Sequence, residues 1–137
     1  VAPQHGMPGK TWSWDLDCAP ENRSAVGLQL FGLTFICTHL DAYFERVRME
    51  QVRMLGSCLT DAGLDKEPIF LLGDFNALRR ADYSPSDWED LVRRRAKVRV
   101  ESETAVTEDL EARGLIDCRS VAQSVEGPVA THQWRPD

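Results

Sequence analysis

The sequence predicts an α/β or α+β fold, in which the strands of a mixed sheet alternate with α-helices. Three patterns support this prediction. Two apolar runs flank Phe31-Gly32, which is typical of a β-hairpin, residues 41–62 carry apolar side chains at helical spacing, and residues 68–73 form the short apolar run of a buried strand. A hairpin pairs its strands antiparallel, so a sheet that contains one is mixed rather than wholly parallel.

The composition indicates a folded globular domain. Hydrophobic residues make up 42% and charged residues 28% of the 137 residues, which is ordinary for such a domain and argues against disorder. No apolar run approaches the roughly 18 residues of a membrane-spanning helix, so we expect no membrane span. The formal net charge of −6 argues against a protein that binds nucleic acid by bulk positive charge. It does not exclude an enzyme that binds phosphate through a metal ion.

The first part of the chain predicts a loop and then a hairpin. Residues 1–24 are rich in proline and glycine, which favours a loop with one extended piece at residues 11–14. Residues 25–38 form the two strands of the hairpin. The second strand, residues 33–38, is almost continuously apolar, so we expect both of its faces to be covered.

A long helix follows the hairpin. We expect it to span residues 41–62, with Asp41 as its N-cap and Gly63 as the residue that ends it. Arg48 and Gln51 lie on this helix, and we expect them to tie it to the sheet.

The last part of the chain predicts further helices. Ser84 is a capping residue, and the acids just after it and the bases further on suit the two ends of a helix dipole. The elements expected after this helix are a third helix from Ala105 or Thr107 to Arg113, a short strand at residues 115–118 and a loop from residue 121 onward.

The cysteines predict free thiols. Cys18, Cys37, Cys58 and Cys118 are far apart and form no C-x-x-C pair, so a zinc knuckle is not expected. Cys37 lies in a strand-like apolar run and Cys58 in a helix-like one, so we expect buried thiols rather than disulfides. Free thiols fit a reducing, intracellular compartment.

Polar residues that could carry chemistry follow the two apolar strands. Thr38-His39-Leu40-Asp41 ends one strand and Gly73-Asp74-Phe75-Asn76 ends the other, and sites gather at the carboxyl ends of strands in open α/β sheets. Asp74 could orient a water molecule or bind a hard cation, and Asn76 could donate to a phosphate oxygen or hold Asp74. His39 could donate a proton or stabilise negative charge. An Asx-type turn is the structural alternative for Asp74 and Asn76.

These segments resemble the endonuclease/exonuclease/phosphatase superfamily, which includes deoxyribonuclease I-like enzymes. The resemblance lies in the order and content of three segments, Phe35-Ile36-Cys37-Thr38-His39-Leu40-Asp41, Arg48-Met49-Glu50-Gln51 and Leu71-Leu72-Gly73-Asp74-Phe75-Asn76-Ala77-Leu78. The similarity extends from about Arg23 to Asp137 and is weaker before that, so residues 1–22 are only loosely assigned.

The resemblance implies a two-sheet sandwich flanked by helices, and Mg²⁺-dependent (or Mn²⁺-dependent) hydrolysis of a phosphoester by an activated water molecule. By position, Asp74 matches the aspartate that orients and deprotonates the water, and Asn76 matches the asparagine that holds this constellation and the phosphate. His39 matches the histidine on the leaving-group side. Arg79 and Arg80 follow closely and are candidate substrate-binding residues, because guanidinium groups bind phosphate. A solvated loop is the alternative for these arginines.

The chain also departs from the family pattern. The metal-binding glutamate of the earlier strands and the final Ser-Asp-His are not found in the sequence. We therefore expect residues 1–137 to be one partial domain that is incomplete at both ends and inactive alone, with the metal-binding glutamate outside this chain. The full-length gene product would be the Mg²⁺-dependent phosphoric ester hydrolase.

Two alternatives stay open. The chain could be a non-catalytic binding or scaffold remnant of the same fold, or a small α/β domain in which Asp74 and Asn76 only cap a turn. The sequence does not choose among DNA, RNA, a phospholipid head group, an inositol phosphate and a protein–DNA adduct as substrate. We expect a monomer that acts on a phosphoester, with nucleic acid as one candidate partner.

Overall fold

The computed structural model describes residues 9–20 and 22–121, which divide into two compact units. The boundary falls after Asn76, so that a sheet unit precedes it and a helical unit begins at Ala77. Residues 1–8 and 21 of the loop predicted at the start of the chain, and residues 122–137 of the predicted tail, lie outside the described residues.

The described residues of the sheet unit form a mixed four-stranded sheet and one long helix. Its elements are β1 (Lys10–Asp15), β2 (Ser24–Leu30), β3 (Leu33–His39), α1 (Glu45–Asp61) and β4 (Ile69–Asp74). The strand order is β1-β2-β3-β4, in which β1–β2 and β2–β3 are antiparallel and β3–β4 is parallel. The mixed α/β class, the hairpin and the early extended piece are therefore confirmed. All four strands belong to one sheet, so the two-sheet sandwich stays a prediction.

The helix α1 begins at Glu45 rather than at residue 41, and the prediction of Asp41 as its N-cap is wrong. Asp41 Oδ1 accepts hydrogen bonds from the backbone N–H groups of Tyr43 at 2.8 Å and Phe44 at 2.7 Å. This side-chain turn lies ahead of the helix and uses the oxygen that a cap would offer to it. The predicted end is confirmed, because Gly63 follows with a φ of 70°.

One face of the sheet and one face of α1 supply the apolar core of this unit. Buried positions alternate along β3, where Thr34, Ile36 and Thr38 are covered. The buried apolar side chains of the strands and of α1 include Ala25, Ile36, Val47, Val52, Leu55 and Leu59. This alternation is typical of a strand with one covered face.

The opposite face of the sheet is open. The register aligns two rows of side chains on it, which together are called the open face below: Val26, Cys37 and Leu72, and Leu28, Phe35 and Phe70. Val26 is 52% exposed and Leu72 is 48% exposed, and the Phe35 and Phe70 rings stack with centroids 5.2 Å apart. The prediction that both faces of β3 are covered is therefore wrong.

The four cysteines are free thiols, as predicted, but none of them is fully buried. Cys37 and Cys118 are exposed, and Cys18 and Cys58 are half-buried. The prediction of burial is wrong because Ile36 and Thr38 take the covered positions of β3, which leaves Cys37 on the open face.

The described residues of the helical unit, 77–121, form one 3-10 turn and three helices. They are the turn at Arg80–Asp82, α2 (Pro85–Lys97), α3 (Ala105–Ala112) and α4 (Cys118–Val121). The predicted start of α2 is confirmed, since Ser84 Oγ accepts the Asp87 N–H at 3.2 Å. The strand predicted at residues 115–118 is wrong, because residues 115–117 form no regular element and α4 begins at Cys118, where Asp117 Oδ1 accepts the Arg119 N–H at 3.0 Å. Of the helices described, none is long and apolar enough to cross a membrane.

Gly73 allows β4 to approach β3 closely, and its replacement is the first test of this fold. Its φ is 127°, and a Cβ here would overlap the Thr38 carbonyl oxygen. We expect Gly73→Ala to lower the free energy of unfolding by about 3 kcal/mol, because backbone strain and steric overlap add. Urea denaturation measures this loss.

Gly63→Ala is the matched control. Gly63 also has a positive φ of 70°, but a Cβ there would meet no described atom within 4 Å. Only the strain of the left-handed conformation remains, so a loss of about 1 kcal/mol is expected. Equal losses for the two variants would contradict the close approach of β4 to β3.

Candidate active site

The parallel pairing of β3 with β4 brings the ends of both strands together. The register pairs His39 with Asp74, and His39 Nε2 lies 3.9 Å from Asp74 Oδ2. The two side chains are 55% and 66% exposed. Alternation along the strands places both on the side of the open face, at the carboxyl edge of the sheet.

Arg23 is a further residue of this site, although neither motif singles it out. Its Nη1 lies 3.3 Å from His39 Nδ1. Because arginine only donates hydrogen bonds, this contact requires Nδ1 to accept and leaves the imidazole proton on Nε2, the nitrogen nearest Asp74. The signal in the sequence is indirect. Arg23 precedes β2, and antiparallel pairing places the start of β2 beside the end of β3.

Asn76 ties the two strand ends together. Its backbone N–H donates to Asp74 Oδ1 at 2.9 Å, and its side-chain Nδ2 donates to the Leu40 carbonyl at 3.0 Å. The Leu40 N–H in turn donates to the Asp74 carbonyl at 2.9 Å. Asn76 has a φ of 48°, a left-handed conformation that asparagine tolerates better than most residues. The three predicted catalytic residues therefore lie together, while their catalytic roles stay predictions.

Side chains of α1 hold the segment that follows β3, as expected for Arg48 and Gln51. Gln51 Oε1 accepts the Asp41 N–H at 2.8 Å, and Arg48 Nη1 donates to the Asp41 carbonyl at 2.9 Å. Arg48 also forms an ion pair with Glu45 at 2.8 Å. Asp41 and Gln51 are completely buried, and Arg48 nearly so.

The geometry of the site places one carboxylate oxygen beside one imidazole N–H. Asp74 Oδ1 accepts the Asn76 N–H, which leaves Oδ2 on the side of His39. The separation of 3.9 Å between Oδ2 and Nε2 is too long for a direct hydrogen bond. A water molecule can bridge this distance, because its oxygen can accept the Nε2–H of His39 while one of its protons is donated to Asp74 Oδ2.

Asp74 alone does not fit the ligand set of a resident metal ion. Mg²⁺ in proteins is held by one or two carboxylates together with water and substrate phosphate. Within the described ranges, no three His, Cys, Asp or Glu side chains are grouped so that they could hold a metal. Asp74 could contribute one ligand to such a site.

Arg79 is bound to three carboxylates within the helical unit. Its Nε donates to Glu111 at 2.8 Å, and its Nη1 lies 3.3 Å from Asp82 and 3.2 Å from Asp117. The hydrogen bond to Glu111 is the main cause that raises the pKa of Arg79. Substrate binding by Arg79 stays a prediction, and any substrate would compete with these carboxylates.

Arg80 also has partners inside the helical unit. Its Nη1 donates to the Tyr83 carbonyl at 2.9 Å, and its guanidinium lies 5.1 Å from the centre of the Trp88 ring. The Tyr83 and Trp88 rings meet edge to face at 5.6 Å, so Arg80 completes a small aromatic cluster. Its role in substrate binding likewise stays a prediction.

Comparison with known proteins finds no relative, since the chain matches no protein-family model, no curated protein and no solved structure. A functional assignment therefore rests on the motifs and on the geometry at the carboxyl edge of the sheet.

Replacement of Arg79 tests whether its ion pairs hold the helical unit together. We expect Arg79→Met to lower the free energy of unfolding by about 1 kcal/mol, because three carboxylates lose their shared cation. The loss should shrink in 1 M salt, as for any partly exposed ion pair. Arg113→Met is the control, because within the described residues Arg113 forms an ion pair with Asp109 alone, and its side chain is 45% exposed. Unchanged stability of Arg79→Met with a raised KM in the full-length gene product would instead assign Arg79 to the substrate.

Proposed function

We propose that this chain is part of a metal-dependent phosphoesterase of the endonuclease/exonuclease/phosphatase superfamily, which hydrolyses a phosphoester with an activated water molecule. The observation that carries the proposal is the position of His39 beside Asp74 at the carboxyl edge of a parallel strand pair, with Asn76 holding the Asp74 carboxylate. These are the residues through which the sequence resembles that superfamily.

Asp74 is the general base in this proposal. Because the Asn76 N–H holds Oδ1, Oδ2 is the oxygen that takes a proton from the attacking water. The water oxygen forms its bond to phosphorus as the bond between phosphorus and the leaving oxygen breaks. The proton then resides on Asp74, the phosphate product keeps the oxygen of the water, and the leaving group departs as an alkoxide that solvent protonates.

His39 stabilises the negative charge that develops during this displacement. Its Nε2–H donates to an oxygen of the phosphoryl group on the leaving-group side, and Arg23 at Nδ1 holds the imidazole in that tautomer. Mg²⁺ or Mn²⁺, when bound, would neutralise phosphoryl charge, and the resemblance assigns its glutamate ligand to sequence outside this chain. The substrate is a phosphoester, with nucleic acid, lipid and inositol phosphates all compatible with this chemistry.

The open face supports the two-sheet part of the proposal. Its six side chains are apolar, and exposed apolar patches of this kind are interaction surfaces. Packing of a second sheet, about 10 Å away, is the ordinary way to cover such a face. His39 and Asp74 extend from the same side of the sheet, so a covering sheet would also form a wall of the site.

A structural role for Asp74 is the second candidate. The hydrogen bond from the Asn76 N–H to Asp74 Oδ1 is an Asx-type turn, which occurs in many proteins without any chemistry. A small domain or a non-catalytic remnant of the fold would keep this turn.

The variant Asp74→Asn distinguishes a catalytic role of Asp74 as general base from a structural role in the Asx-type turn. Asparagine keeps an oxygen that accepts the Asn76 N–H, but it cannot take a proton from water. In the full-length gene product with Mg²⁺, we expect hydrolysis of bis-p-nitrophenyl phosphate to fall by about a hundredfold or more, with little change in the free energy of unfolding. Asp65→Asn, which changes an exposed acid between α1 and β4, should keep the wild-type rate. Wild-type activity in Asp74→Asn would favour the structural role.

Cys37 reports on whether the open face is covered. Cys37 and Cys118 are both exposed in the chain described here, but Cys37 alone of the two lies on the open face. In the full-length gene product we expect a maleimide to label Cys37 about tenfold more slowly than Cys118, because a second sheet would cover it. Peptide mass spectrometry of timed samples measures both rates in one molecule. Equal rates would contradict a covered open face.

A further inference from the structure

We propose that Gln51, assisted by Arg48, is a positioning residue that holds Asn76, and through Asn76 the Asp74 carboxylate, in the reacting geometry. The catalytic part of this inference rests on the proposed function. Its structural part rests on hydrogen bonds of the sheet unit alone.

Gln51 and Asn76 hydrogen-bond to the same peptide group, the one that joins Leu40 to Asp41. Its carbonyl oxygen accepts Asn76 Nδ2 at 3.0 Å, and its N–H donates to Gln51 Oε1 at 2.8 Å. Because a peptide group is planar, its C=O and N–H can only turn together. Gln51 on one side therefore sets the direction in which the Leu40 carbonyl meets the Asn76 amide on the other side.

Burial makes the orientation of this peptide group hard to change. Leu40, Asp41 and Gln51 are 0% exposed. A buried N–H that loses its acceptor is left unsatisfied, and hydrogen bonds in a low-dielectric interior are stronger than in water. Arg48 fixes the next peptide group by donating to the Asp41 carbonyl, and its ion pair with Glu45 holds Arg48 in turn.

Asn76 in turn fixes the position of the Asp74 carboxylate. Its backbone N–H fixes Asp74 Oδ1, so a shift of Asn76 moves Oδ2 away from its place beside His39. A misplacement of about 1 Å at a reacting group is enough to lower a rate by about a hundredfold. Gln51 touches no reacting atom in this scheme, and it acts only through Leu40 and Asn76.

A double-mutant cycle in the full-length gene product tests the kinetic part. With bis-p-nitrophenyl phosphate and Mg²⁺, Gln51→Met should lower kcat by about tenfold, since the acceptor for the Asp41 N–H is removed at similar volume. Asn76→Gly removes the amide and keeps a residue that accepts a φ of 48°. In the Asn76→Gly background, adding Gln51→Met should change kcat by less than about twofold, because the two residues act in series.

Val52→Ala is the matched control. Val52 follows Gln51 on α1, is 4% exposed and belongs to the apolar core. Its truncation to alanine lowers stability but removes none of the hydrogen bonds that link Gln51 to Asn76. Its kcat at a temperature where the protein is folded should stay within about twofold of wild type. Equal loss of kcat in Val52→Ala, or an undiminished effect of Gln51→Met in the Asn76→Gly background, would overturn the positioning role.

The side-chain amide signals of Asn76 in an NMR spectrum test the structural part without any turnover. We expect these signals to shift and to exchange faster with water in Gln51→Met, and to stay unchanged in Val52→Ala. Unchanged Asn76 signals in Gln51→Met would overturn the inference whatever the activity. If the wild-type protein hydrolyses no phosphoester, the proposed function fails and the catalytic part falls with it, while the NMR result still decides the link from Gln51 to Asn76. If Gln51→Met does not fold, Arg48→Lys, which keeps the charge with fewer donors, should shift the same signals to a smaller extent.

Discussion

The candidate site depends on the parallel pairing of β3 with β4. This pairing places residue 39 opposite residue 74, although α1 and its connections separate them in the sequence. Gly73 allows the close approach that the pairing needs, and the bond from Asn76 to the Leu40 carbonyl locks the two strand ends. The helix α1, which connects β3 to β4, also stabilises this pairing. Its side chains Gln51 and Arg48 hydrogen-bond to the backbone of Asp41, in the segment that follows β3. The unit formed by β3, α1 and β4 thus supplies His39 and Asp74, and its helix holds the backbone next to them.

Much of the fold was visible in the sequence wherever a local pattern determines local structure. The hairpin at Phe31-Gly32, the body of α1, β4 and the Ser84 cap were predictable because apolar spacing and turn residues act over a few positions. The errors arose where two local structures compete for the same side chain, or where the outcome depends on distant contacts. Asp41 bonds to a turn ahead of α1 rather than to the helix itself, and Cys37 lies in an apolar strand with one face open. An apolar run does not reveal how many of its faces are covered.

The site residues that belong to short motifs could be predicted from the sequence, but their tertiary partners could not. His39, Asp74 and Asn76 could be found because their residue types stand at strand ends in two short motifs. Arg23 lies outside both motifs, and the sequence indicates it only by its position just before the hairpin, because the antiparallel pairing of β2 with β3 is what places it beside His39. Arg79 illustrates the opposite case, since a motif-adjacent arginine binds Glu111, 32 residues further along the chain. Sequence motifs identify the groups that carry chemistry, and tertiary pairing decides which partners those groups have.

The apolar open face continues directly into the polar, solvent-exposed edge that carries His39 and Asp74. Both features support the proposal of a metal-dependent phosphoesterase. The most direct test is to assay the full-length gene product on phosphodiester and phosphomonoester substrates with Mg²⁺, after removal of metal by EDTA, and after Mg²⁺ is restored. We expect turnover that EDTA abolishes and Mg²⁺ restores. Absence of turnover with either Mg²⁺ or Mn²⁺, or turnover that is indifferent to EDTA, would contradict it.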